Sequence, residues 1–143
     1  MIYVDTSVLF SLYVPDANSS RADAWHRANS SPVDFTGFHR IELRNALSLA
    51  VFQQRLTAAE AQSARTQVQE DLKAGVLVAK PDLWGKLVQE AESLAEHHTP
   101  AIGSRSLDLL PVAAALVIGA TEFCTFDVRH GKLAQLAGMH IRP

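Results

Sequence analysis

The chain has a single cysteine, Cys124, among its 143 residues. An intramolecular disulfide cannot form, and a zinc site built on cysteines is excluded. A reducing, cytoplasmic compartment is the default expectation. The chain also lacks a basic excess. Thirteen Lys and Arg stand against fifteen Asp and Glu, for a formal net charge of −2. That balance argues against a duplex-DNA binder relying on a wide basic face. It leaves room for an enzyme of nucleic acid, because local charge decides there. Long apolar runs are missing too. The uncharged stretch from Leu109 to Thr121 falls well short of the roughly 20 residues a membrane span needs, so no membrane partner is expected. The apolar opening, Met1 to Val14, has no basic n-region and is broken by Asp5. It reads as a core strand and helix rather than a signal peptide. No GxxxxGK[ST], GxGxxG or GxSxG pattern is present, and the serines have no plausible His/Asp pair.

The remaining composition is that of a folded domain. Hydrophobic residues make up 48% and charged residues 20%, and the length suits one domain over 1–143. Short apolar runs alternate with longer helical segments, the pattern of an α/β fold with a parallel sheet. Strands are expected at Ile2–Val4, Val33–Thr36, Val76–Ala79, Phe123–Thr125 and Met139–Ile141. Helices are expected over Thr6–Val14, from Ser19 or Ser20 to Ala28, and from Phe38 to Arg55. Further ones follow from Thr57 to Leu72, from an Asp82 cap to His98, over Arg105–Ile118 and over Val128–Ala137. Thr57 and Glu60 form a capping-box pattern. Gly75 and Gly138 stand where helices stop. Pro111 conflicts with its helix: either the helix starts near Asp108 or its first turn is kinked. Glu60, Glu70, Asp71, Asp82, Glu90, Glu92 and Glu96 read as solvated faces. His97 and His98 read as helix-end residues, and His26, His130 and His140 as surface or core-edge residues.

Four acids sit where such a fold does chemistry. Asp5 follows the first strand and precedes a helix, and ligands of open parallel sheets bind at the carboxyl ends of strands. Asp127 repeats that placement after Phe123–Thr125. Glu42 lies one turn into its helix, with His39 and Asn45 at helical spacing on its face. Arg40 and Arg44 point to the opposite side. Asp108 opens a nearly all-apolar helix, where an acid suits the helix dipole. Arg105, one turn earlier, can neutralise it or bind phosphate. A helix cap explains Asp5 and Asp127 locally, but not why both sit at strand exits, and Glu42 could be an ordinary exposed glutamate. Carboxylate oxygens without histidine or cysteine spacing select Mg²⁺ or Mn²⁺. Phosphodiester hydrolysis is the reaction such ions serve. Four converging carboxylates would also repel one another without a cation, so Asp→Asn variants should melt no lower than the parent in chelator.

In order along the chain, these residues resemble the PIN-domain nucleases. Ile2-Tyr3-Val4-Asp5-Thr6-Ser7 looks like the first motif, and Ile41-Glu42-Leu43-Arg44-Asn45-Ala46-Leu47 like the second. Ser106-Leu107-Asp108-Leu109-Leu110, running into Ala113-Ala114-Ala115, looks like the third. Thr125-Phe126-Asp127, with Leu133 and Ala137-Gly138-Met139, looks like the last. The compact length is similar to that of VapC-type toxins of toxin–antitoxin pairs. The resemblance implies a three-layer α/β/α sandwich with a central, mostly parallel sheet. It implies an endoribonuclease using Mg²⁺ or Mn²⁺, RNA as substrate, a VapB-type antitoxin as partner and a homodimer. It places the catalytic and metal-binding acids at Asp5, Glu42, Asp108 and Asp127, with Thr125, Thr6, Asn45 and Arg105 in support. Pro111 stands where the family often has a histidine. A non-catalytic PIN-like module that binds RNA or protein is the alternative. A phosphatase using Asp5 as nucleophile fits less well, because Ser7 stands where that chemistry wants a second acid.

Overall fold

A computed structural model describes residues 1–81 and 83–143. The elements in chain order are β1 (Ile2–Val4), α1 (Thr6–Tyr13), α2 (Ser19–Ala28), β2 (Val33–Phe35), α3 (Gly37–Phe52) and α4 (Ala58–Ala74). They continue with β3 (Leu77–Ala79), α5 (Trp84–Ile102), α6 (Ser106–Val117), β4 (Glu122–Cys124), α7 (Val128–Leu136) and β5 (His140–Arg142). The chain forms two compact units. One combines Met1–Asp5 with Pro81–Pro143, and the other is Thr6–Lys80.

The first unit is built on a parallel sheet in the order β1-β4-β5. Val4 pairs with Cys124, and Cys124 with Arg142. The ladder continues one residue further, where the Asp5 N–H donates to the Cys124 carbonyl (2.9 Å) and the Thr125 N–H to that of Arg142 (2.8 Å). Tyr3, Val4, Phe123 and Cys124 are almost fully buried. The Tyr3 and Phe123 rings stack with centroids 5.2 Å apart. Strands this apolar on both faces are what a covered parallel sheet requires. The α5, α6 and α7 helices pack on one another, and α7 also lies on β4 and β5. The α6 residues Val112, Ala113, Ala114 and Ala115 are buried, as an all-apolar helix should be.

The second unit pairs β2 with β3 in parallel, Val33 opposite Leu77 and Phe35 opposite Ala79. Its core comes from Val8 and Leu9 of α1, Leu43, Leu47 and Ala50 of α3, and Ala61, Ala64 and Val68 of α4. Every strand pair in the two units is parallel, as an α/β chain of this pattern should give.

Several boundaries differ from expectation, each for a local reason. Thr36 ends no strand; it caps α3. Its hydroxyl accepts from the His39 N–H (3.3 Å), and its own N–H donates to His39 Nδ1 (3.0 Å). A histidine thus does the work a glutamate usually does in a capping box. Asn18, not Ser19 or Ser20, occupies the cap of α2. The Ser19 hydroxyl is engaged with the Asp16 N–H and the Val14 carbonyl. The α5 helix runs past His98 and through Pro100, ending at Gly103 with φ 66°. Asp82, expected as its cap, lies outside the described residues. The Pro111 conflict resolves against a late start, because α6 begins at Ser106, two residues before Asp108, and carries Pro111 inside.

Candidate active site

Asp5 and Thr125 stand opposite each other one step beyond the Val4–Cys124 pair, at the carboxyl end of the β1–β4 ladder. The register that pairs Val4 with Cys124 sets them side by side. The Thr125 hydroxyl donates to Asp5 Oδ2 at 2.7 Å. The same hydroxyl oxygen accepts from the Asp127 N–H at 2.9 Å, so one threonine ties the first acid to the turn bearing the last. Asp5 is 1% exposed. A buried carboxylate is tolerated only when hydrogen-bonded and paired, and Asp5 Oδ2 also lies 3.2 Å from His130 Nδ1.

Asp127 is the N-cap of α7. Its Oδ1 accepts from the N–H groups of Arg129 (2.8 Å) and His130 (3.4 Å), satisfying donors that a helix start leaves open. Its Oδ2 meets the Arg129 guanidinium at 3.2 Å. Burial pushes the Asp127 carboxyl up. The hydrogen bond from the Arg129 side chain, the neighbouring His130, and the N–H and charge of Arg129 outweigh it, so it lies below the usual carboxylate range.

Asp108 stands in the first turn of α6. Its Oδ2 accepts from the Arg105 backbone N–H at 3.3 Å. The guanidinium near Asp108 is that of Arg129, at 3.7 Å. Arg105 therefore reaches this acid through its backbone, while the expected neutralisation comes from Arg129. Asp108 Oδ1 lies 3.7 Å from His130 Nε2.

His130 is the residue that sequence reasoning missed. It was expected at the surface or core edge, yet it is 7% exposed. Its two ring nitrogens face Asp5 and Asp108. The available signal was its place three residues after the Asp127 cap, which turns it back over the strand ends. Asp5, Asp108, Asp127 and Thr125 are thus brought into one hydrogen-bonded and ionic network with His130 and Arg129. This overturns the expectation of bare repulsion among these acids. Among the described residues, no three His, Cys, Asp or Glu side chains form a ready-made metal-ligand set. The donor chemistry nevertheless fits a hard cation. Three carboxylates lie against a histidine and an arginine, and the Arg129 side chain, 61% exposed, has room to swing away.

Glu42, Asn45 and Thr6 belong to the other unit. Glu42 is half-buried on α3, with Oε2 withdrawn from solvent. Asn45 is exposed, and Thr6, the first residue of α1, is buried. Arg40 and Arg44 line a groove between α3 and α4 of about 270 Å³. Phe35, Leu43, Leu47 and Val68 give it an apolar lining, and Arg65 of α4 adds a third guanidinium.

The sequence profile of the PIN domain family matches residues 2–136. No curated protein matches significantly. Among solved structures, the Mycobacterium tuberculosis toxin VapC20, which cleaves the sarcin–ricin loop, is similar with a TM-score of 0.70. It shares 19% identity, with 100% of each chain covered. FitAcB from Neisseria gonorrhoeae is similar with a TM-score of 0.63 and 19% identity, covering 100% of this chain and 97% of that one.

Proposed function

Since the chain belongs to the PIN domain family, we propose that it is an endoribonuclease of RNA and the toxin of a toxin–antitoxin pair, dependent on Mg²⁺ or Mn²⁺. The observation that carries this reading is the network at the strand ends. Asp5 follows β1, Asp108 lies in the first turn of α6 and Asp127 caps α7, and they share Thr125, His130 and Arg129. Asp5, Asp108 and Asp127 would hold the cation. When bound, Mg²⁺ or Mn²⁺ supplies charge neutralisation at a phosphoryl oxygen and makes a water more acidic.

The chain's own residues do the rest. Thr125 fixes Asp5 by donating to it and fixes the Asp127 turn by accepting from it. The first turn of α7 holds Asp127 by two backbone N–H groups. Arg129, mostly exposed beside two acids, is free to leave them for a substrate phosphate. Arg105, whose backbone N–H holds Asp108, would also meet the RNA backbone.

The likeness to VapC20, a toxin, together with the risk a free ribonuclease poses to its host, supports a VapB-type antitoxin partner; a homodimer and a cytoplasmic location belong to the same proposal. A cation from the antitoxin is favoured among the acids. The apolar, arginine-lined α3–α4 groove suits an acidic amphipathic segment of the same partner. Copurification from the native operon should bring down a small protein. Recovery of the chain alone, with no growth defect on overexpression, counts against the toxin assignment.

Asp5→Asn tests the catalytic reading. The variant keeps the shape and an acceptor for Thr125 but loses the charge. RNA cleavage in Mn²⁺ should fall at least 100-fold, the scale on which a positioned catalytic group contributes, with the circular dichroism spectrum unchanged. Cleavage at the parent rate would remove Asp5 from the site.

A further inference from the structure

We propose that His130 is itself a member of the cation site, supplying a nitrogen donor opposite Asp108 while Asp5 orients its ring. The inference rests on the metal-dependent reading above and adds a residue that the set of acids leaves out.

The geometry comes first. His130 is buried, and its ring spans two acids, with Nδ1 3.2 Å from Asp5 Oδ2 and Nε2 3.7 Å from Asp108 Oδ1. The Nδ1 contact is hydrogen-bond length and the Nε2 contact is not. With its Nδ1–H given to Asp5, the ring presents the Nε2 lone pair toward the Asp108 carboxylate. A cation bound there would take the place of the proton that makes this contact an ion pair when His130 is charged. His130 and Asp108 would offer that cation an imidazole nitrogen and a carboxylate oxygen, donors that Mn²⁺ accepts. A histidine that gives one N–H to a carboxylate and its other nitrogen to a metal is the usual arrangement of metal-binding histidines.

The surroundings hold that ring in place. The His130 N–H donates to Asp127 Oδ1, which fixes the backbone at the start of α7. Thr125 donates to the same Asp5 oxygen that meets Nδ1. Gly131, next in the chain, places the position of an absent Cβ 3.5 Å from Thr125 Cγ2, so α7 lies close on the strand end. Arg129, the other cation beside Asp108, is exposed and can yield the space.

This makes His130 a determinant of metal preference. An oxygen-only site suits Mg²⁺, whereas an imidazole donor shifts preference toward Mn²⁺ and later transition ions. The parent should bind Mn²⁺ more tightly than Mg²⁺. His130→Asn should weaken Mn²⁺ binding by at least about 10–100-fold, the scale already seen when only a residue supporting a ligand is lost, and Mg²⁺ binding by less. His130→Gln, which retains an amide that can donate to Asp5, guards against a fold that collapses in the Asn variant.

The experiment is pulsed electron paramagnetic resonance on the Mn²⁺-loaded protein, with Mn²⁺ and Mg²⁺ affinities from calorimetry. Nitrogen-14 modulation in the parent, lost in both variants, supports the assignment. Bound Mn²⁺ without nitrogen modulation overturns it while leaving the acid site standing. So does Mn²⁺ binding that tightens in the variants, because His130 then only fills the space between acids. A parent that binds no Mn²⁺ fails this inference and the metal-dependent reading together.

Discussion

Tyr13 shows how much one side chain's surroundings set. It sits at the end of α1, and its hydroxyl donates to Asp71 Oδ2 of α4 at 2.7 Å. Burial, the hydrogen bond to Asp71 and the charge of that carboxylate all hold its phenol well above the ordinary tyrosine range. The folded state therefore keeps this proton after the unfolded chain has released it. The contribution is fully present below about pH 10, the unfolded tyrosine value, and is lost as pH rises beyond it. Tyr13→Phe should destabilise by about 1 kcal/mol near neutral pH, from the missing hydrogen bond. The gap to the parent should then narrow from pH 10 upward, since only the parent gains by ionising when unfolded. Melting series between pH 8 and pH 11.5 read this directly. A constant gap would mean that Tyr13 titrates normally. The site residues differ in how legible they were. Asp5, Asp108 and Asp127 stand at element ends, where a carboxylate asks for a reason, so the sequence exposed them. His130 did not stand out, because its meaning depends on the α7 start that Asp127 fixes and on a strand register joining positions 120 residues apart.

At the scale of elements, helices were the readable part. The Thr57–Glu60 box opens α4 as its pattern requires, with Glu60 accepting from the Thr57 N–H at 2.7 Å. Glycine stops were equally readable, since Gly75 takes φ 76° after α4. Strand ends were less so. Thr36 is β-branched and follows an apolar run, yet its pairing with His39 makes it a cap, and a sequence window cannot weigh that pair against a ladder bond. The glycines give a paired test. A side chain at Gly75 would meet nothing within 4 Å, so Gly75→Ala is opposed by the backbone alone, at about 1–2 kcal/mol. Gly85, inside α5 with equally open surroundings and no positive φ, should respond the other way. Gly85→Ala should stabilise by about 0.5–1 kcal/mol. Denaturant melts of both variants check the contrast. If Gly75→Ala matches the parent, the left-handed stop of α4 carries no strain.

For the whole molecule, stability should answer to divalent cations through the acids. The sequence suggested carboxylates in mutual repulsion, relieved by any Asp→Asn change. The structure instead shows Asp108 and Asp127 each near Arg129, with Asp127 also capping α7. Asparagine is as good an N-cap as aspartate. A pair with a mostly exposed arginine is worth about 0–1 kcal/mol. In chelator, Asp108→Asn and Asp127→Asn should therefore melt within about 2–4 °C of the parent, given the usual response of a domain this size to 1 kcal/mol. Saturating metal is a larger effect. At about 100 times its Kd, a single bound ion adds roughly 2.7 kcal/mol, or on the order of 5–10 °C in Tm. The parent should gain that much in Mn²⁺, and the two variants should lose most of it. Ca²⁺ should stabilise the parent while supporting cleavage poorly, because its loose coordination positions water badly. Scanning calorimetry in EDTA, Mg²⁺, Mn²⁺ and Ca²⁺ separates the alternatives. A parent indifferent to millimolar Mn²⁺ has no metal site at these acids. Variants that melt far below the parent already in EDTA would make Asp108 and Asp127 anchors of α6 and α7, with the ion pairs to Arg129 as their purpose.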